Sequence, residues 1–387
     1  MSEVVWVGLY QSIRNANLVI MNAPNAKQLT ADDITKYVGE AKFMRAFSYF
    51  LLVKNWGGVP IRTEENITEI DVARSSADDV YSLILSDLKD AEGTLPDIAS
   101  LPGKPSKWAA KTLLADVYFY RGMNSEAAGK ANEVIAANKY SLVQVTVLND
   151  FYKLYGVDVV TSTEEIFYIK YSHENGTLYP MMLHHPNSKM VGGGGYYGIY
   201  TDKVSNGVMK NWDMNDLRRQ LWYNWDIGLG NNTLLTLKFI DPKAPGAGAN
   251  ATDIPAYRFA DVLLMSAEAE VRSTGIISVT AMERLNMVHR RAYGYPISTA
   301  SIVDFKITEY TKDSFLDLVI KERGYETVCE GKRWIDLKRL GAVKLREIIK
   351  AGTGRDVVDK HFLFPIPVAE LSYNKKIDPA KDQNPGY

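Results

Sequence analysis

Aromatic side chains crowd the middle of the chain, and their type and spacing suit the binding of a sugar. Seven lie between positions 196 and 225, namely Tyr196, Tyr197, Tyr200, Trp212, Trp222, Tyr223 and Trp225. An aromatic ring offers a rigid apolar platform for the C–H face of a sugar, and neighbouring amides and carboxylates can hydrogen-bond its hydroxyls. The predicted ligand-binding residues are therefore Tyr196, Tyr197, Trp212, Trp222, Tyr223, Asn224 and Trp225.

The same rings have a second interpretation. Large aromatic side chains are usually buried, and several of these rings would then only fix their segment to the rest of the fold. The two interpretations differ in solvent exposure. An exposed, coplanar pair of rings would indicate a binding surface, whereas burial of all seven would remove it.

The reactive side chains indicate no catalysis. A glycosidase needs two carboxylates that face each other across a cleft, and no motif selects such a pair among the 46 acidic residues. The only cysteine, Cys329, has no marked nucleophile context. We therefore predict no catalytic residue, and a carbohydrate-active enzyme is the weakest hypothesis.

No motif indicates a cofactor or a metal. The four glycines at 192–195 are not followed by the Lys and Ser or Thr of a phosphate-binding loop, so we interpret them as a flexible loop at the rim. His184 and His185 are adjacent, whereas helical zinc ligands are typically four residues apart. We expect no cofactor and no zinc. The sequence leaves calcium open, because carbonyl and carboxylate sites have little sequence pattern.

The composition is that of an ordinary globular protein. The 387 residues carry a net charge of −1, so no basic surface for nucleic acid is indicated. No apolar run is long enough to cross a bilayer, and residues 1–6 have neither a basic region nor a cleavage site typical of a signal peptide. A single cysteine excludes an intramolecular disulfide, but a chain of this length needs none, so export stays compatible with the sequence.

Helices must position the aromatic segment. Apolar residues at steps of three and four predict a helix over 4–21. A second helix is predicted from Asp32 or Asp33, as the cap, to about residue 54. Ser76 begins a capping-box pattern before a third helix that reaches about residue 92.

A turn follows the second predicted helix. Residues 55–60 contain two glycines and then a proline, which end a helix. Trp56 lies in this turn and has two interpretations: a surface platform, or a plug that fills the end of the helix.

An internal repeat organises the rest of the chain. Residues 109–115 align with residues 259–265 at an offset of 150, and the same offset pairs Ala131 with Ala281. Each copy is predicted to be a helix, a short turn and a helix, which is typical of tetratricopeptide-like units that must stack to bury their apolar faces. We predict an all-α fold in which 1–140 and 257–350 form the helical scaffold, 141–256 an irregular insertion with short strands, and 351–387 a tail packed on the scaffold.

Charged residues cluster in the second half of that scaffold. We expect buried or half-buried ion pairs between helices, because a charge is tolerated inside a protein only when it is paired. The residues are Arg258, Asp261, Glu268, Glu322, Arg323, Glu330, Arg333 and Asp336.

Several segments together resemble one family. They are Trp6 to Asn17 with Leu9, Tyr10, Ile13 and Ala16 at fixed spacing, residues 40–47, 56–60 and 257–269, the charged run at 322–339, 364–367 and 383–387. In this order they are similar to the SusD/RagB family of outer-membrane nutrient-binding lipoproteins of Bacteroidetes. The resemblance covers almost the whole chain and implies one SusD-like domain over 1–387.

The resemblance also implies a function. Family members lie on the outer face of the outer membrane through a lipidated N-terminal cysteine, cap a TonB-dependent transporter of the SusC type and pass oligosaccharides to it without a reaction. Neither the anchor cysteine nor a signal peptide is recognisable in this sequence. The family often carries residues before the Trp6 motif, where part of the sugar site can lie.

A protein-interaction module is the alternative hypothesis. Tetratricopeptide-like scaffolds commonly clasp a protein or peptide, and such a module would bind no sugar of its own. The expected partners are thus an oligosaccharide or polysaccharide and a SusC-like transporter, with no nucleic acid.

Overall fold

The computed structural model describes residues 2–195, 200–246 and 248–387, which are mostly helical with a few short strands. The predicted all-α class is confirmed. The helices are α1 Ser2–Asn22, α2 Ala31–Trp56, α3 Ala77–Thr94, α4 Lys107–Tyr120, α5 Asn124–Ala136, α6 Tyr152–Tyr155, α7 Tyr179–Leu183, α8 Gly207–Asn211, α9 Leu217–Gln220, α10 Phe259–Thr274, α11 Val279–Ala292, α12 Lys312–Glu326, α13 Arg333–Lys338, α14 Ala342–Thr353, α15 Val368–Tyr373 and α16 Pro379–Asp382. The strands are β1 Glu165–Ile169, β2 Tyr200–Asp202, β3 Trp222–Asn224, β4 Thr233–Thr236 and β5 Ile254–Arg258.

The chain divides into two compact units. The first holds the described residues up to Ser100, with Lys104–Arg121 and Val357–Tyr387. The second holds Leu101–Gly103 and the described residues of Gly122–Asp356. Within the described ranges, no helix combines the length and apolar character that crossing a membrane requires.

The first unit is built on α1, α2 and α3, which pack in sequence. The face of α1 predicted from its periodicity is the buried one, with Trp6 and Ile13 in the core. The predicted cap of α2 is wrong: Thr30, not Asp32 or Asp33, accepts the hydrogen bond from the Asp33 amide, because the aspartates already lie inside the first turn. Ser76 caps α3 as predicted.

The C-terminal segment is fixed around Trp56 in this unit. The Trp56 side chain is fully buried, and its indole Nε1 donates to the Pro365 carbonyl oxygen at 3.0 Å. Its ring lies 5.4 Å from that of Phe364. Asn384 donates to the carbonyl oxygens of Trp56 at 2.9 Å and Phe364 at 2.7 Å. Trp56 therefore fills the end of α2, and the surface-platform interpretation is wrong.

Each copy of the predicted repeat forms two consecutive helices, α4 and α5 in the first copy and α10 and α11 in the second. Its second copy is α10 and α11, which pack on each other and are joined through Gly275. In the first copy, α4 belongs to the first unit and α5 to the second. Helix α5 packs on α10, so the helices of the second unit stack as the tetratricopeptide-like pattern predicts.

A cluster of buried charges lies in the second unit. Arg258 is fully buried, and its guanidinium lies 2.8 Å from both Glu326 Oε1 and Glu330 Oε1. Arg218 lies 2.8 Å from Glu322, and Lys238 lies 2.7 Å from Glu330. These contacts confirm the predicted ion pairing of Arg258, Glu322 and Glu330.

The other predicted charges are paired too, with one exception. Arg323 pairs with Asp336 at 3.0 Å and Lys332 with Asp261 at 2.6 Å, while Glu268 pairs with Arg339. Arg333 departs from the prediction, because its guanidinium donates to the Ile320 carbonyl oxygen at 2.7 Å instead.

Acid should destabilise the second unit through this cluster. Burial alone would raise the pKa of Glu330, but the charges of Arg258 and Lys238 lower it from 4.5 to about 2. Burial also opposes the shift at Glu322, where Arg218 and His289 lower the pKa to about 2. Each carboxylate therefore contributes stability above pH 4.5 that is lost as the pH falls from 4.5 towards 2.

We expect the free energy of unfolding in urea to fall in this window by about 1.4 kcal/mol per pH unit for each proton taken up. Glu164 has the opposite effect on stability. Burial raises its pKa, so its ionisation at higher pH destabilises the folded state. A Glu330→Gln variant should have a shallower slope between pH 4 and pH 3. Equal slopes for the variant and the parent would contradict this assignment.

Candidate functional site

The aromatic segment is organised by a small antiparallel sheet in the order β2-β4-β3. Tyr200 and Tyr223 both pair with Leu235, one from each side. Residues directly opposite one another share a face of a sheet, and successive residues alternate between faces. The register therefore separates the rings into two sets.

One face of the sheet is buried against the second unit's own helices. Trp222 lies on this face and is 6% exposed, in a cluster with Trp212, Leu234 and Tyr325. Trp212 is 3% exposed and stacks on Tyr325 with ring centroids 4.0 Å apart and planes 8° apart. Its indole Nε1 donates to Asp216 Oδ2 at 2.8 Å. Trp212 and Trp222 thus offer no open ring face in this structure and hold the sheet in place.

The other face carries three partly exposed rings at its edges, around the buried Thr233 and Leu235 of the central strand. Tyr223 and Trp225 are half-buried and form an edge-to-face pair, with centroids 5.9 Å apart and planes at 66°. The Trp225 amide donates to the Thr233 carbonyl oxygen, which continues the ladder past β3. Tyr200 is 51% exposed and lies across Leu235 from Tyr223, about 10 Å away on the same face. We call Tyr200, Tyr223 and Trp225 the ring face.

Polar side chains around the ring face mainly shape its loops. Asn224 is exposed, but the register puts it on the face of Trp222, and its amide donates to the Asn231 carbonyl oxygen at 2.5 Å. Asp226 accepts from the amides of Gly228 and Gly230 at 2.8 and 2.9 Å in the turn between β3 and β4. On the ring-face side, amides of Ser205 and Val204 lower the pKa of Asp202 and keep it ionised.

Two glycines of the run at 192–195 are closely packed. A Cβ atom at Gly195 would lie 1.9 Å from the His184 carbonyl oxygen, and one at Gly192 would lie 2.1 Å from that of Ala244. Glycine is needed at these two positions because the backbones approach closely, and the flexibility of the loop stays a prediction. The predicted ligand residues Tyr196 and Tyr197 lie just beyond, outside the described residues.

His184 and Cys329 lie in surroundings typical of structural side chains rather than of reactive ones. His184 is buried, with Nε2 2.9 Å from the Lys238 carbonyl oxygen, and burial lowers its pKa. Burial raises the pKa of the Cys329 thiol to about 11, so it is protonated at neutral pH and is a poor nucleophile. Over the described ranges, no group of three or more His, Cys, Asp or Glu side chains is placed to hold a metal ion.

The sequence predicted most of these rings as ligand-binding residues but did not select Tyr200. Tyr200 belongs to the aromatic cluster but was not among the predicted ligand residues, although it is the most exposed ring of the sheet. The available signal was alternation: Trp222 and Asn224 fall on one face, whereas Tyr223 and Trp225 fall on the other. Whether the predicted residues contact a ligand stays a prediction.

A mostly helical fold, with a small inserted sheet that carries aromatic rings, is the fold of the SusD superfamily. The family model described as "SusD family" matches residues 144–387, and the model described as "Starch-binding associating with outer membrane" matches residues 2–119. The chain belongs to the SusD family, as the sequence resemblance indicated.

Known relatives align with nearly the whole of this chain. SusD-like protein P2 of Formosa agariphila is 26% identical over 429 aligned residues, which cover 100% of this chain and 81% of that protein. A SusD superfamily protein from Parabacteroides distasonis has a TM-score of 0.81 at 25% identity, with 100% of this chain and 86% of that chain covered. A laminarin-binding SusD-like protein has a TM-score of 0.75 at 24% identity, covering 99% of this chain and 85% of that one.

Proposed function

We propose that this protein captures oligosaccharides at the cell surface and delivers them to a SusC-like TonB-dependent transporter in the outer membrane. The observation that carries the proposal is the ring face, where Tyr200, Tyr223 and Trp225 lie together on one side of a sheet. Membership of the SusD family and the laminarin-binding neighbour support it. The protein is attached to the outer face of the outer membrane by a lipid anchor in this proposal.

The mechanism is capture without a reaction. A sugar ring places its C–H face on Trp225 or Tyr200, and the buried pair Trp212 and Trp222 holds the sheet that carries these rings. Preorganised rings lose little conformational entropy on binding. The surface is shallow, so much of the ligand stays in water and the affinity for one site is modest. Release of reducing sugar from a bound glycan would contradict this non-catalytic role.

Removing the Trp225 ring tests the proposal. We expect Trp225→Ala to weaken glycan binding about fivefold, because one stacked aromatic contributes about 1 kcal/mol. Isothermal titration against a panel that includes laminarin measures the change. Trp225 is only half-buried, so the variant should still fold.

Tyr373→Ala is the matched control, since Tyr373 is an exposed aromatic residue of the first unit. We expect it to bind glycan as the parent does. If the parent binds no glycan of the panel, or if Trp225→Ala and Tyr223→Ala bind as tightly as the parent, the proposed site is wrong. Transporter pull-down with the same variants separates sugar capture from a pure interaction role.

A further inference from the structure

A carboxylate lies beside the ring face, on the same side of the sheet. Asp202 pairs with Thr233 of β4, and the Trp225 amide donates to the carbonyl oxygen of the same threonine from the other side. Asp202, Thr233 and Trp225 therefore form one row across the sheet, with the backbones of Asp202 and Trp225 about 10 Å apart. The neighbouring row consists of Tyr200, Leu235 and Tyr223.

Contact with a ligand is left to the ends of these two rows. Thr233 and Leu235, in the middle, are 3% and 0% exposed. Asp202 is half-buried, as Tyr223 and Trp225 are, so all three side chains are partly open to solvent. A ligand that touches both Trp225 and Asp202 has to span about 10 Å, which is more than a single sugar ring covers. Such a ligand is an oligosaccharide.

The Asp202 carboxylate is ionised and can accept a further hydrogen bond. Its Oδ1 accepts from the amides of Ser205 at 2.7 Å and Val204 at 2.8 Å. These amides lower its pKa, and the Ser205 hydroxyl and Lys203 lower it to a smaller extent. A carboxylate has about four acceptor positions, and two amides and one hydroxyl fill three of them. One position is left for a sugar hydroxyl.

The strands and the turn between β3 and β4 carry acidic charge only. Within 200–202 and 222–236, the charged residues are Asp202 and Asp226, and there is no Lys, Arg or His. Asp226 follows Trp225 and is exposed, and the amides of Gly230 and Gly228 lower its pKa. At neutral pH one negative charge therefore lies across the sheet from Trp225, and a second lies next to it in sequence.

The basic residues next to these strands in sequence are buried or lie on the opposite side of the sheet. Lys203 comes directly after Asp202, and strand alternation puts it on the opposite side. Arg219 is 5% exposed and donates to the Trp222 carbonyl oxygen, and Lys238 is 1% exposed in the charge cluster. These three cations therefore do not balance the two carboxylates on the side of the ring face.

The neighbours of Tyr223 are uncharged. Burial raises the pKa of the Tyr223 phenol, with smaller effects from Ser188 and Tyr152. Lys189 follows Ser188 and is exposed, but its charge is not a cause of this shift. Over the described part of this side of the sheet, an acidic group of a ligand would meet negative charge without a balancing cation.

We propose that the ring face selects glycans without acidic groups, and that Asp202 is the residue that determines this selectivity. The inference rests on the proposed sugar capture. A neutral oligosaccharide stacks on Trp225 and donates a hydroxyl to the Asp202 carboxylate, whereas a uronic acid or a sulfate ester is repelled by it. Two like charges about 4 Å apart in water lower the affinity about fivefold.

Isothermal titration with laminarin and with carboxymethylated laminarin tests the proposal, because the two probes share one backbone. We expect the parent to bind laminarin about fivefold more tightly than the acidic derivative at low salt. This affinity ratio should fall as the salt concentration rises to about 0.5 M, since salt screens the repulsion. If another neutral glycan of the panel binds in place of laminarin, that glycan and its carboxymethylated derivative become the probes.

Asp202→Asn separates the charge from the shape of the side chain. Asparagine can still accept from the amides of Val204 and Ser205, so the variant should keep this turn and fold. We expect its affinity ratio to fall towards one, because the acidic derivative is no longer repelled and laminarin loses a charged acceptor. Lys203→Gln and Lys189→Gln are the matched controls. Each removes a charge next to the sheet but not on the side of the ring face, and the ratio should stay that of the parent.

Three results would overturn the proposal. They are binding of the acidic derivative by the parent as tightly as laminarin or more tightly, a ratio that Asp202→Asn leaves unchanged, and a ratio that Lys203→Gln changes as much as Asp202→Asn does. In each case, glycan binding that depends on Trp225 would still support the proposed sugar capture. A parent that binds neither neutral nor acidic glycans would instead reject the capture itself, and this selectivity with it.

Discussion

Replacing Arg258 with methionine should lower the free energy of unfolding by about 3–5 kcal/mol. The side chain is fully buried and is shared by Glu326 and Glu330 at 2.8 Å and by Glu164 at 3.3 Å. Methionine fills a similar volume, but it leaves these carboxylates with less positive charge beside them in a low-dielectric interior. The loss is mainly the cost of the stranded negative charges rather than the value of one ion pair.

The measurement has to resolve the two compact units. Urea unfolding gives the total change only if the chain unfolds in one step. Amide hydrogen exchange adds a local probe: we expect protection to fall in α12, which carries Glu322 and Glu326, before it falls in α2 of the first unit.

Two further variants separate charge from packing. Arg355→Met removes an exposed guanidinium and should change the free energy of unfolding by no more than about 0.5 kcal/mol. Combining Arg258→Met with Glu326→Gln neutralises one stranded carboxylate and should recover part of the loss, because Arg218 and Arg291 keep their other carboxylates. If the double variant is less stable than Arg258→Met by the full cost of Glu326→Gln alone, the charges are not coupled as the structure indicates.

Local patterns in the sequence were enough to predict most of the scaffold. Apolar periodicity located α1, Ser76 located the start of α3, and the paired glycines after Trp56 located the end of α2. These signals involve residues a few positions apart, and so they can be interpreted without knowing the tertiary fold. The predicted cap of α2 was wrong because three residues that can each cap a helix, Thr30, Asp32 and Asp33, lie within four positions.

The charge cluster includes contacts that local sequence patterns could not predict. The sequence indicated that Arg258 and Glu330 are paired inside the protein, but not that Lys238 and Arg218 come from the insertion to join them. Those contacts join residues more than 90 positions apart, as for Lys238 and Glu330. No local periodicity records a contact of that kind.

The rings were predicted as one group and the structure divides them. Trp222 and Tyr223 are neighbours in sequence, yet strand alternation sends one into the core and the other to the ring face. The strands β2, β3 and β4 have only three or four residues each, too few for a clear alternating pattern. The segment was therefore interpreted as irregular, and exposure of individual rings could not be derived.

Trp56→Ala should destabilise the first unit by about 3–5 kcal/mol. The indole is completely buried between α1 and the C-terminal segment, 5.4 Å from both the Trp6 and the Phe364 rings. Truncation leaves a cavity and removes the donor to the Pro365 carbonyl oxygen. The C-terminal segment should then loosen first, which proteolysis near residue 364 would detect.

Trp56→Phe separates the cavity from the hydrogen bond. Phenylalanine keeps most of the ring but loses the indole N–H, so we expect a smaller loss than for alanine, about 1–3 kcal/mol for the carbonyl left without its donor. The Asn384 contacts to the carbonyl oxygens of Trp56 and Phe364 remain in both variants, because they use the backbone of residue 56. If Trp56→Ala costs less than about 1 kcal/mol in urea unfolding, the ring does not fix the C-terminal segment, and the tail must be held by its other contacts, such as those of Asn384 with Arg74 and of Asn374 with the Val72 carbonyl oxygen.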